Sequence, residues 1–142
     1  MEHTEIIHAR GHEHVQSTHE STFEVTSDDW LTPAGDCILA IEADRTPADF
    51  SDEFVDAAQS HDAEITTTLS TDDHTQTITG RGHPDLTYEG DRSAVGRTSD
   101  YVDDRTIMVG AEGAAESVDR NLAAALAEGA KLTLELRVTA DE

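Results

Sequence analysis

The feature that most constrains this chain is that it reads as one unit written twice. Arg10-Gly11-His12 recurs as Arg81-Gly82-His83 at an offset of 71, and Thr26-Ser27-Asp28 recurs as Thr98-Ser99-Asp100 at 72. After a shorter loop, Asp36-Cys37-Ile38-Leu39-Ala40-Ile41 matches Asp104-Arg105-Thr106-Ile107-Met108-Val109 at 68. Each match is short, but they occur in the same order and their offsets change only where loops fall, as an internal duplication requires. The copies run from about residue 5 to 70 and from about 75 to 139, with Ser70–His74 as the join.

Hydrophobic periodicity agrees between the copies. Leu39, Ile41 and Ala43 alternate, as do Ile107, Val109 and Ala111, which predicts a strand with one buried face. Thr46-Pro47-Ala48-Asp49 then reads as the start of a helix, with a cap, a proline in the first turn and an acid behind it. Phe50, Phe54, Ala57 and Ala58 fall on one helical face, as do Val118, Leu122, Ala125 and Leu126 in a helix that stops at Gly129. An alternating strand follows in each copy, carrying Ile65, Thr67 and Leu69 or Leu132, Leu134 and Leu136. Two earlier strands complete each unit: Ile6 to Arg10 and Thr22 to Thr26, then Thr75 to Arg81 and Ala94 to Thr98. The order strand-strand-strand-helix-strand is therefore used twice. A unit of about 65 residues closes a core poorly on its own. The expectation is one domain over residues 1–142: a strand-rich α+β fold, a pseudo-two-fold sandwich or barrel flanked by two helices.

Charge limits the function classes. The 142 residues hold 31 Asp and Glu against 9 Lys and Arg, a net charge of −22, and Lys131 is the one lysine. The acids are spread along the chain, and threonine is abundant at 18 residues. Self-repulsion at this density is screened at molar salt, where the Debye length is about 3 Å. The composition therefore points to a halophilic protein from a salt-rich cytoplasm. Nine scattered cations form no basic face for a phosphate backbone, so nucleic acid is not favoured as a partner. No apolar run reaches the ~20 residues of a membrane span, and the first residues do not resemble a signal peptide. A lone cysteine, Cys37, excludes an internal disulfide and suits a reducing compartment.

Standard catalytic signatures are absent: no phosphate loop ending in Lys-Ser/Thr, no Gly-x-Ser-x-Gly, no His-Glu-x-x-His and no Cys-x-x-Cys. Two constellations are left. His3, His8, His12, His14 and His19 crowd the first copy, with His83 as the repeat partner of His12. Two Arg-Gly-His turns meeting at a pseudo-dyad would set His12 and His83 beside acids, a divalent-metal set; the alternative is that each turn is structural. The other constellation pairs Asp36 with Asp104 and Cys37 with Arg105. The paired acids suit acid–base work or a cation, or else serve as turn residues in a network of Asp104, Arg105 and Arg120. Cys37 is a nucleophile if its pKa is lowered, and otherwise a small buried hydrophobe. Trp30 and Tyr101, two of six aromatics, suit core or loop-anchor duty, with stacking on a ligand as the alternative.

The run Ala9-Arg10-Gly11-His12, then His19 with Thr22, Glu24 and Thr26, then Leu31-Thr32-Pro33 and Gly35-Asp36-Cys37-Ile38, resembles an archaeal family catalogued as domain of unknown function 371. Gly82-His83-Pro84, Ser99-Asp100-Tyr101, Asp104-Arg105-Thr106 and Asp119-Arg120 extend the resemblance over the second copy. It implies a mainly β, jelly-roll-like sandwich in two related halves, and no activity; the acidic composition makes the chain a haloarchaeal member. Ala34 departs from the arginine common after Thr-Pro in such proteins, which removes that position from any ligand set. The residues selected for a site are Arg10, His12, His19, Asp36, Arg81, His83, Asp104 and Arg105. The function expected is a module that binds a small ligand, a protein partner or a second copy. The alternative is a metal-dependent or acid–base enzyme at the repeat interface.

Overall fold

A computed structural model describes residues 2–140. Eight strands form two four-stranded sheets, accompanied by two short helices. The first sheet has the order β1-β8-β4-β5, from β1 (Glu2–Arg10), β8 (Lys131–Thr139), β4 (Glu64–Ser70) and β5 (Thr75–Arg81), with every neighbour antiparallel. The second has the order β3-β2-β6-β7, from β3 (Ile38–Ala40), β2 (Thr22–Thr26), β6 (Ser93–Arg97) and β7 (Thr106–Met108). Its central pair is antiparallel, and the short outer strands lie parallel to their neighbours. Exchanging the first four strands for the last four leaves both strand orders unchanged.

Alternation explains the first sheet. Along β8, Leu132, Leu134, Leu136 and Val138 are buried while the residues between them reach solvent. Ile65, Thr67 and Leu69 do the same on β4. Each fully buried aliphatic side chain contributes about 1.5–3 kcal/mol. The apolar ones share one buried cluster with Phe23, Val25, Leu39, Ile107 and Met108 of the second sheet and with Phe54, Leu122 and Leu126 of the helices.

A closed barrel is not formed. β3 and β7 have three residues each, so each outer edge makes only a single bridge to the other sheet: Arg10 to Ile41, and Arg81 to Val109.

Two further expectations are corrected. The helical segment beginning at Thr46 is broken: a 3-10 turn over Pro47–Asp49 ends at Phe50, whose ψ of 151° is extended. Helix α1 (Asp52–Ala58) then starts from a new cap, with Ser51 Oγ accepting the Phe54 amide at 3.1 Å. The same break precedes α2 (Arg120–Ala127), which Asp119 caps by accepting the amides of Asn121 and Leu122. Gly129, at φ +90°, ends α2 as expected; its amide returns to Leu126 and that of Ala130 to Ala125. The second correction is one of register. β6 is Ser93–Arg97, one residue earlier than expected, so Ser27 and Thr98 are the residues that donate to the carbonyls of Arg92 and Ser21 beyond the partner strand. In this pairing Phe23 stands opposite Gly96, where a Cβ would overlap its ring.

Among the described residues no helix is long and apolar enough to cross a membrane.

Candidate functional site

The Arg-Gly-His turns are close-packed corners. A Cβ on Gly11 would overlap the Leu126 carbonyl at the end of α2, and one on Gly82 would overlap the Ala58 carbonyl at the end of α1. Glycine is required at both places so that a strand end can lie on a helix end. The Gly11 amide donates to Ala130 at 2.8 Å and the Gly82 amide to Ala63 at 2.9 Å.

The histidines hold these corners. His12 Nδ1 accepts the His14 amide at 3.0 Å, and His83 Nδ1 accepts the Asp85 amide at 3.0 Å. Their rings meet different partners: His12 lies 5.1 Å from His14, and His83 lies 4.8 Å from His61. His12 and His83 thus belong to turns on different helices. Among the described residues no group of three or more His, Cys, Asp or Glu is placed to hold a metal ion. His19 also works locally, its Nδ1 accepting the amides of Ser21 and Thr22 at 3.2 and 3.1 Å where β2 begins.

The Asp36 and Asp104 pair acts through the backbone. The Asp36 carbonyl accepts from Thr18 and His19, and the Asp104 carbonyl accepts from Gly90 at 2.8 Å. The ion-pair network centres on Asp103 rather than Asp104, with Arg97 at 3.0 Å and Arg105 at 3.1 Å. Burial pushes the Asp103 carboxyl up, but hydrogen bonds from Thr106 and Arg105 and the charge of Arg97 outweigh it and hold the group at about 2. Arg120 is outside this network; its Nη2 donates to the carbonyls of Val118, Ser17 and Ala115 at 2.6–3.1 Å.

Cys37 is half-buried, with Sγ 3.6 Å from Glu24 Oε1. Burial and the Glu24 charge push its thiol up to about 11, which leaves it protonated at neutral pH and opposes a nucleophilic role. Trp30 and Tyr101 are 55% and 52% exposed, contrary to core duty, and Arg97 lies 4.8 Å over the Tyr101 ring. They sit in the loops after β2 and β6.

Two clefts take in Arg10, His83 and Asp104. One of about 440 Å³ contains His83 and Asp104 with Asp85, Glu89, Asp100 and Asp103. The other, of about 650 Å³, lies where β1 and β8 meet; its wall includes Arg10, Lys131, Thr71, Asp72, Glu42 and Asp44. Arg10 pairs with Glu42, and the Asp44 carboxylate accepts the His8 amide at 2.8 Å. Arg10 and Lys131 stand directly opposite each other in the β1–β8 register. The Thr71 hydroxyl is buried and has no hydrogen-bond partner. Arg81, which matches Arg10 in the sequence repeat, lies over Gly110 and opposite Glu64 on β4, with no ion pair among the described residues. Sequence reasoning missed Lys131, Thr71 and Asp72; its one available signal was that Lys131 is the sole lysine.

The family described as "Domain of unknown function (DUF371)" matches residues 7–139. A protein of Methanocaldococcus jannaschii described as uncharacterized is 37% identical over 133 residues, which covers 94% of this chain and 98% of that protein. Neither description carries an activity. With a match across nearly its whole length and an archaeal relative of this similarity, the chain belongs to the DUF371 family.

Proposed function

We propose that this protein is a binding module for a small polar ligand, and that the ligand sits in the cleft between the end of β1 and the start of β8. The observation that carries this reading is the buried, unpartnered Thr71 hydroxyl in the wall of that cleft. Leaving such a group without a hydrogen bond costs about 1–3 kcal/mol, and a ligand oxygen would recover it. The cross-strand pair Arg10 and Lys131 adds support, because like charges directly opposite on a sheet are destabilising. A catalytic reading has less behind it, since Cys37 is protonated and His12 and His83 are occupied at Nδ1.

In the same reading the chain is one domain, two copies of an ancestral unit about a pseudo-two-fold axis, packed as a sandwich. The equivalent bridges Arg10–Ile41 and Arg81–Val109 support this. The net charge of −22 supports a haloarchaeal cytoplasmic protein. Arg81, His83, Asp104 and Arg105 then serve the second copy's corners, not the ligand.

The test is an NMR titration of the labelled full chain, at fixed KCl, with a panel of sugars, phosphate esters, carboxylates and amino acids. A ligand-binding module gives at least one compound whose amide shifts cluster on residues 8–10, 70–72 and 131–133. A panel that moves none of them overturns the reading.

A further inference from the structure

The charges around the cleft define the kind of molecule it takes. Seven of the nine cationic side chains are committed: Arg10, Arg45, Arg92, Arg97, Arg105 and Arg137 to carboxylates, and Arg120 to backbone carbonyls. Lys131 has no acidic partner among the described residues, although the chain carries 31 acids. It lines the cleft together with Asp72, whose carboxylate is also without a hydrogen bond or ion pair among the described residues. The two are not within ion-pair distance of each other. A free cation and a free carboxylate thus face one space, with the orphaned Thr71 hydroxyl next to Asp72 in the chain.

A simple anion suits this space poorly. It would meet Lys131, but also the carboxylates of Asp72, Asp44 and Glu42, on a chain of net charge −22. A simple cation would meet Lys131 and Arg10. A neutral molecule carrying both charges avoids the long-range penalty and satisfies both free groups.

We propose, resting on the ligand-binding reading above, that the cleft binds a small zwitterion of the α-amino-acid class. Its carboxylate lies against Lys131 and accepts the Thr71 hydroxyl, and its ammonium lies against Asp72. The same three residues also line an adjoining cleft of about 470 Å³, so the two charged groups are approachable from two sides.

The test titrates the full chain with glycine, L-serine, L-glutamate and L-lysine, using acetate and methylammonium as half-ligands, and follows the amides of Thr71, Asp72 and Lys131. At least one amino acid is expected to shift them saturably, with each half-ligand at least tenfold weaker. Lys131→Gln and Asp72→Asn, both at exposed positions, are each expected to weaken binding at least tenfold with an unchanged far-UV spectrum. Acetate binding as tightly as the amino acids, or an Asp72→Asn variant that binds them unchanged, overturns the zwitterion. If only a non-zwitterionic compound of the wider panel moves these amides, the zwitterion fails and the ligand-binding reading stands; if nothing moves them, both fail.

Discussion

The Ser51 amide donates to Glu5 Oε2 at 2.7 Å, so a buried carboxylate on the inner face of β1 holds the cap residue of α1. Its other oxygen accepts Arg45 Nη2 at 2.6 Å. On β5, Gln76 Oε1 accepts the Asp119 amide at 2.7 Å, the same task performed by a neutral side chain. An amide can therefore replace the carboxylate as the acceptor, while only the carboxylate balances Arg45.

From this follows a graded pair of variants. Glu5→Gln keeps an acceptor for Ser51 and loses the charged bond, a cost of about 1 kcal/mol. Glu5→Ala leaves both Ser51 and Arg45 without their partner and costs about 2–3 kcal/mol. Urea unfolding at fixed KCl measures both; equal costs would show that Arg45 alone matters.

The corner glycines predict a second contrast. Gly11→Ala and Gly82→Ala press a methyl into the carbonyl of Leu126 or Ala58 and should each lose about 1–3 kcal/mol. His12→Ala, which removes one turn hydrogen bond, should lose about 1 kcal/mol. Thermal melts of the three variants rank these costs, and a histidine variant less stable than both glycine variants would contradict the close-packing account.

Acid should act through Asp103. Its carboxyl is held at about 2 when folded, below the ordinary carboxylate value, so its contribution is complete above about pH 4 and is lost as pH falls toward 2. That contribution is about 2 kcal/mol. Stability measured from pH 6 to pH 2 should fall less steeply in Asp103→Asn than in the parent chain; parallel curves would remove Asp103 as the cause.

Cys37 should be slow to react. With a thiol pushed up to about 11 by burial and Glu24, little thiolate exists at pH 8. Iodoacetamide should label the folded chain more than tenfold more slowly than the urea-unfolded chain, while Cys37→Ala keeps the fold. Equal rates would mean that the thiol is accessible and ionised.

Much of the architecture was legible locally. The alternations of Ile65, Thr67, Leu69 and of Leu132, Leu134, Leu136 marked strands because burial on one face leaves a period of two in the sequence. Two helices and the stop at Gly129 were legible for a similar reason. The break at Phe50 was not, since a proline-started turn and a capped helix together look like one longer helix. Nor were the bounds of β6, which begins at Ser93, one residue before the pattern places it. The scarcity of aromatics makes Trp30 and Tyr101 look like core residues or loop anchors, yet both are more than half exposed.

The sequence by itself determined the strand-rich α+β order and the net charge of −22, properties that short stretches encode through periodicity and composition. Only the tertiary structure decided which polar residues meet. It placed His12 and His83 on different corners, moved the ion-pair centre from Asp104 to Asp103, and set Lys131 opposite Arg10. The last of these depends on β8 adding between β1 and β4, a pairing of distant segments. Strand pairing is driven by burying the inner faces, so the residues it brings together on the outer face carry no local signature of their encounter.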